Sequence, residues 1–166
     1  MNETPRQYIA RLLGYVKSRD SLKTLRSTGP AVGKLLRRTT RARHLKRPRR
    51  GTWSAGEILA HLAESELVFG YRLRKVLERN GTPIQAFDQN DWQKNARYLY
   101  SDPAAAFELF NVLRKNNIAL LASLPKRKWK RFGKHSERGK ETIARMVDLE
   151  AGHDVNHLKQ LRLLLG

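Results

Sequence analysis

An all-α four-helix bundle with up-down-down-up topology is the fold this sequence predicts, and three observations predict it. Apolar residues recur at helical period along four long stretches, and no convincing strand pattern appears. The one long connection, residues 81–101, falls between the second and third of these stretches. Finally, His61 lies about seven residues into the second stretch and His157 about eight from the end of the fourth, so they share one end only if those helices run antiparallel. A simple up-down-up-down order would hold them far apart. The 81–101 segment, at up to ~65 Å of extended reach, can make the required crossover.

The elements follow in order. A short N-terminal helix is expected near 5–18, with Tyr8, Ile9, Leu12, Leu13 and Val16 on one side. Gly29-Pro30 punctuates the next stretch, so the first bundle helix starts at about 20 or 30 and runs to 43. The second opens at Ser54 with Glu57 three residues on, a capping box, and Gly81 after Asn80 supplies its stop. Its inner stripe reads Ile58, His61, Leu62, Ser65, Val68, Phe69, Leu73 and Val76. Asp102-Pro103 opens the third helix as cap and first helical residue. Its stripe is Ala106, Phe110, Leu113, Asn117, Leu120 and Leu124, and Pro125 ends it. A basic loop leads to a fourth helix from about 140 to 165. Residues 1–166 read as one domain, with no internal repeat or low-complexity linker.

Composition narrows the chemistry. There is no cysteine, which excludes disulfides, thiolate metal sites and a thiol nucleophile supplied by the chain. No apolar run is long enough to span a membrane, and the opening residues lack the apolar core of a signal peptide, so a cytoplasmic location is expected. Lys and Arg total 34 against 15 Asp and Glu, a net charge of +19. Such a surface attracts anions of every kind. Two runs concentrate the charge: 37–50 and 126–140 carry eight Lys or Arg each.

The polar residues of the last helix carry the functional reading. Met146, Glu150, His153, His157, Leu161 and Leu164 share helical spacing, so the two histidines continue an apolar stripe and point inward. Imidazoles four residues apart on a helix can reach one ion. An isolated pair of this kind is a weak signal; the inward His61 on another helix strengthens it. Three neutral imidazoles hold an ion and leave a coordination position open, as catalytic sites do. Glu57 and Asp154 stand near these histidines, either as carboxylates that orient a ring or as capping and interhelix partners. His44 and His135 sit in basic loops and read as solvated.

The segments WSAGEILAHLAESE, GYRLRKVL, FDQNDW and AGHDVNHLKQLRLLL resemble, in order and over nearly the whole chain, the DinB-like (DinB/YfiT-like) metalloenzyme superfamily. That resemblance implies an up-down-down-up bundle with a divalent metal, zinc or nickel, on three histidines, here His61, His153 and His157. It also implies activities such as thiol-dependent S-transfer, and a homodimer. The charge is more basic than the family pattern.

The expected function is therefore metal-dependent transfer or hydrolysis on a small, anionic substrate, with the ion acting on a water or on a low-molecular-weight thiol. Two other classes remain open. One is a nucleic-acid-binding module that uses the basic runs for phosphates and Trp129 with Phe132 for stacking. The other is a non-catalytic bundle. The run 37–50 belongs at the histidine end and 126–140 at the opposite end, away from any catalytic role.

Overall fold

The computed structural model describes residues 3–166, and Pro5 by its backbone alone. Helix α1 spans Pro5–Val16, α2 Ser21–Leu36, α3 Arg41–Leu45, α4 Ala55–Glu78, α5 Gln89–Asn95, α6 Pro103–Ser123 and α7 Ile143–Leu165. Three short strands join them: β1 Thr82–Ile84, β2 Phe132–His135 and β3 Gly139–Thr142. The bundle helices are α2, α4, α6 and α7. Their starts are written in the sequence as caps. Asp20, Ser54, Asp102 and Thr142 each accept a hydrogen bond from a backbone amide of the first turn. Ser54 and Glu57 form the expected capping box, and Gly81, at φ +80°, turns the chain after α4.

The topology is up-down-down-up. Contacts between α4 and α6 advance together along both helices, from Gly56 near Pro103 through Glu66 at Arg114 to Arg74 at Asn117, so the two are parallel. Contacts between α2 and α6 run oppositely, Leu25 to Arg114, Gly29 to Asn111 and Gly33 to Phe107. The sheet states the same relation. β1 leaves α4, β2 leaves α6, and they pair in parallel, which requires both helices to end at one end of the bundle. Residues between β1 and α6 form the crossover, with α5 and one 3-10 turn inside it.

Three expectations need correction. The expected absence of strands fails, because the sheet ordered β1-β2-β3 exists at the far end. Its strands are three or four residues long, too short for an alternation to register. Pro83 is tolerated because β1 is an edge strand. The first bundle helix starts at Ser21, the earlier of the two expected starts, and passes through Pro30. Pro30 is exposed on that helix, so only one solvent-side backbone bond is given up while the buried Leu25, Thr28 and Val32 keep their stripe. The helix ends at Leu36 rather than 43, and Arg41–Leu45 form a separate short helix. Finally, 126–140 is not a plain loop: it forms a 3-10 turn and the β2–β3 hairpin.

The core divides into two apolar layers. One contains Val32, Ile58, Leu59, Leu62, Phe110 and Leu161. The other, toward the sheet, contains Leu25, Phe69, Leu73, Leu121, Ile143 and Val147. On every bundle helix a polar residue separates them: Thr28, Glu66, Arg114 with Asn117, and Asp154 with His157, all buried. This polar waist is where the site lies. Among the described residues no helix is long and apolar enough to cross a membrane.

Candidate metal centre

The waist has an ionic half and a histidine half. In the ionic half the buried Arg114 guanidinium donates to Asp154 at 2.5 and 3.0 Å, to Glu66 at 2.8 Å and to the Leu25 carbonyl at 3.0 Å. Asn117 donates to Glu66 at 2.8 Å. Despite burial, Asp154 and then Glu66 hold Arg114 above its ordinary value. Glu150 lies 3.6 Å from the same guanidinium, and one of its carboxyl oxygens is buried without a hydrogen-bond partner. Burial, with Glu66 and Asp154 beside it, pushes the Glu150 carboxyl well above the usual carboxylate range. One guanidinium thus faces three carboxylates, and Glu150 is the one it holds at the longest distance.

In the histidine half, α4 supplies His61 and α7 supplies His153 and His157, one helical turn apart. The antiparallel crossing of α4 and α7 brings them together as the sequence spacing requires. The Nε2 atoms of His61 and His153 are 2.9 Å apart, and those of His153 and His157 are 3.0 Å apart. Ring centroids lie 4.3 to 5.0 Å from one another, each pair edge-on. Burial pushes all three imidazoles below their ordinary value, His157 to about 4, so all three are neutral at pH 7.

Neutrality decides what the cluster can hold. The Nδ1–H of His157 donates to Gln160 Oε1 at 2.8 Å, which leaves Nε2 as a bare lone pair. That lone pair faces His153 Nε2, which also faces His61 Nε2. A single proton on His153 could satisfy one such contact but not both. Three inward-facing lone pairs around one point are the donor set of a divalent cation with nitrogen preference. The residues present therefore fit a metal ion, and one ligand atom from each lies within 4.8 Å of the others. Trp53 packs edge-on against the His61 ring at 5.1 Å and holds its orientation. Ser65 Oγ stands 3.5 Å from His61 Nε2.

The expected orienting carboxylates do other work. Glu57 closes the capping box and binds Arg47, at 2.5 and 2.8 Å, and Gln93, at 2.8 Å; despite burial, Arg47 and the Ser54 amide keep it below the ordinary range. Asp154 is tied to Arg114. Neither bonds a histidine ring among the described residues. The residue that does is Gln160, three positions after His157 on the same face, a spacing visible in the sequence. Of the two histidines expected to be solvated, His44 is half-buried and His135 is buried. His44 shares a 2.9 Å hydrogen bond with Thr39, and His135 is buried in β2, where its Nδ1 accepts from the Glu137 amide.

Two cavities meet at the triad. An inner one of about 270 Å³ is lined by His61, Ser65, Phe69, Arg72, Glu150 and His153, among others. An open basin of about 1300 Å³ reaches His157 and Gln160 past Arg11, Arg49, Thr52 and Trp53. Tyr8, Phe87, Gln89 and Glu137 border both. The Arg-rich run 37–50 thus does reach the histidine end, through Arg49. The run 126–140 does not stay at the opposite end throughout: the β2–β3 turn brings Glu137 and Arg138 onto the inner cavity. Its aromatic members are committed. Trp129 packs on the sheet-side core, and Lys140 covers the Phe132 ring at 4.5 Å.

The family model described as the DinB superfamily matches residues 24–161. A protein of Oceanobacillus iheyensis named "Putative metal-dependent hydrolase OB0782" is 27% identical over 117 residues, covering 70% of this chain and 67% of that protein. A Bacillus subtilis protein named "Putative metal-dependent hydrolase YfiT" is 25% identical over 115 residues, covering 68% and 64%. The match thus spans about two thirds of the length of these relatives. Among solved structures, one described as "YfiT from Bacillus subtilis is a probable metal-dependent hydrolase with an unusual four-helix bundle topology" superposes with a TM-score of 0.80 at 19% identity, covering 98% of this chain and 88% of that one. A DinB-like protein of Bacillus subtilis superposes at 0.59 and 15% identity, covering 87% and 89%. At these identities the structural likeness is one of fold.

Proposed function

The chain belongs to the DinB superfamily, and from that premise we propose that it is a metal-dependent hydrolase acting on a small molecule, with His61, His153 and His157 as the metal ligands. The observation that carries this reading is the convergence of three neutral imidazole nitrogens, 2.9 and 3.0 Å apart, with one tautomer fixed by Gln160. A divalent ion there supplies Lewis acidity, which polarises a bound group and lowers the pKa of a coordinated water or thiol. The chain's own residues do the rest. Gln160 and Trp53 orient the imidazoles, and Ser65 offers a hydroxyl beside His61. The cavity beside the imidazoles combines the apolar Phe69, Met146 and Leu149 with the charged Arg72 and Glu150. Relatives named as metal-dependent hydrolases support hydrolysis over other uses of the ion. Transfer to a low-molecular-weight thiol is the finer alternative within the same site, and a chain without cysteine accommodates it. Zinc and nickel both suit three imidazoles.

The test is elemental analysis of protein purified without a polyhistidine tag, alongside His153→Ala. The expected result is one divalent ion per chain in the parent and a large loss in the variant, with helical content unchanged. Full occupancy in the variant would overturn the ligand assignment. Activity screens with the identified metal, with and without added thiols, then separate hydrolysis from thiol transfer.

A further inference from the structure

The inner cavity has a second end that metal chemistry does not use. Along α4, His61, Ser65, Phe69 and Arg72 follow at helical spacing, and all four line the cavity. Arg72 stands about 16 Å beyond His61 along the axis, and its side chain leans back toward the helix N-terminus and the histidines. Between the two ends Leu12, Phe69, Met146 and Leu149 supply an apolar wall that Glu150 interrupts.

The cations on this wall differ in how their charge is spent. Arg138 donates twice to Glu141, at 2.6 and 3.0 Å. Arg72 donates to the neutral Gln85 carbonyl, and its guanidinium carbon lies 5.6 Å from the Phe87 ring centroid. Among the described residues no carboxylate lies within ion-pair distance of it. Glu150 shares its cavity but is turned to Arg114, Glu141 is held by Arg138, and Glu137 is exposed. Burial lowers the Arg72 pKa and the Arg138 charge adds to that, while the more distant carboxylates of Glu141, Glu150 and Glu137 oppose both. A guanidinium presents five donors in a planar fork suited to a carboxylate.

We infer that Arg72 is a specificity-determining residue that anchors the carboxylate of a small substrate whose reacting group lies at His61 and His153. The cavity, about 270 Å³, is at the lower end of small-molecule sites. The substrate class is thus a small carboxylic acid with a short apolar chain between its carboxylate and the bond that reacts. This inference rests on the metal reading of the triad.

The experiment uses metal-loaded protein and two probes of equal chain length. Suberic acid monohydroxamate carries a metal-binding head and a carboxylate tail; octanohydroxamate carries the same head and a methyl tail. Calorimetry should give the parent a preference of about tenfold or more for the carboxylate tail, as a charge-assisted bidentate pair would. Arg72→Gln should erase that preference and leave octanohydroxamate binding unchanged, which also shows that the variant folds. Arg72→Lys should keep part of it. Equal binding by the parent, or a preference that survives Arg72→Gln, would overturn the anchor. A metal-free arm separates the two readings. Adipate should raise the melting temperature of the metal-free parent and not that of Arg72→Gln. If the parent takes up no metal but adipate still discriminates, the metal reading fails and the anchor stands. If metal binds but neither arm discriminates, the anchor fails alone.

Discussion

Gln160 illustrates how much of the site depends on a residue outside the donor set. Its side-chain oxygen fixes the proton of His157 on Nδ1 and so frees Nε2. Removing such a partner lowers metal affinity by roughly 10–100-fold in comparable sites. Gln160→Leu should do the same here, read by competition with a chromogenic chelator, while the far-UV spectrum stays unchanged. An unaltered affinity would mean the tautomer is set by other contacts. The pH dependence of the metal-free protein follows from burial. His157 falls from an ordinary 6.5 to about 4 in the folded chain, so between those values the unfolded chain binds more protons. Its contribution to stability is therefore complete above 6.5 and is lost as pH falls toward 4. Glu150, shifted upward, works in the opposite direction, so the wild-type profile alone is ambiguous. Comparison with His157→Gln removes that ambiguity. The stability advantage of the parent over this variant should shrink by about 2 kcal/mol between pH 7.5 and 5, measured by urea unfolding. A constant difference would show that His157 is not held neutral by burial.

At the scale of elements, legibility tracked length and periodicity. The bundle helices were readable because each combines a cap with a sustained stripe. Ser54 with Glu57, and Asp102 with Pro103, marked their starts to the residue. The strands were not readable, because segments such as Thr82–Ile84 owe their pairing to neighbours distant in sequence rather than to their own pattern. The histidines were legible as a set because they sit on inward stripes of helices whose directions the long crossover constrains. The ionic half of the waist is not legible, because Arg114, although four residues after Phe110 on the inner face, is a charge that interrupts the apolar pattern. Its signal was spread over three helices: Glu66, Arg114 and Asp154 all fall on buried faces. The docking of α1 hides in a single glycine. A Cβ on Gly152 would stand 2.2 Å from the Leu12 carbonyl oxygen, a backbone atom that cannot step aside alone. Gly152→Ala should therefore push α1 off α7 and cost about 1–3 kcal/mol. Because Tyr8, Ile9 and Leu12 wall the inner cavity, α1 should also become the preferred site of limited proteolysis. A variant as stable and protease-resistant as the parent would show that α1 can shift without penalty.

For the whole molecule, the question is what a net charge of +19 does for a site buried at the bundle waist. The charge is not uniform with respect to that site. Arg49 stands on the open basin through which His157 is reached, and Arg50 is its exposed neighbour. Lys126 and Arg127 are equally exposed, but lie in the 3-10 turn after α6, at the sheet end. Positive potential at the mouth of a cleft raises the local concentration and on-rate of anions, whereas the same charge more than a Debye length away, about 10 Å at 0.1 M salt, is largely screened. Arg47 is not a suitable probe, because it is bound to Glu57 in the α4 cap and its loss would disturb the fold. The informative comparison is Arg49→Glu with Arg50→Glu against Lys126→Glu with Arg127→Glu, a matched change in net charge. With metal-loaded protein and suberic acid monohydroxamate in stopped flow, the first pair should slow association several-fold at low salt and converge on the parent at high salt. The second pair should leave the rate near that of the parent throughout. Equal slowing by both pairs would make net charge the only variable and remove the case for a steering rim. A loss that persists at high salt would instead mark Arg49 as a direct contact of the ligand in the basin.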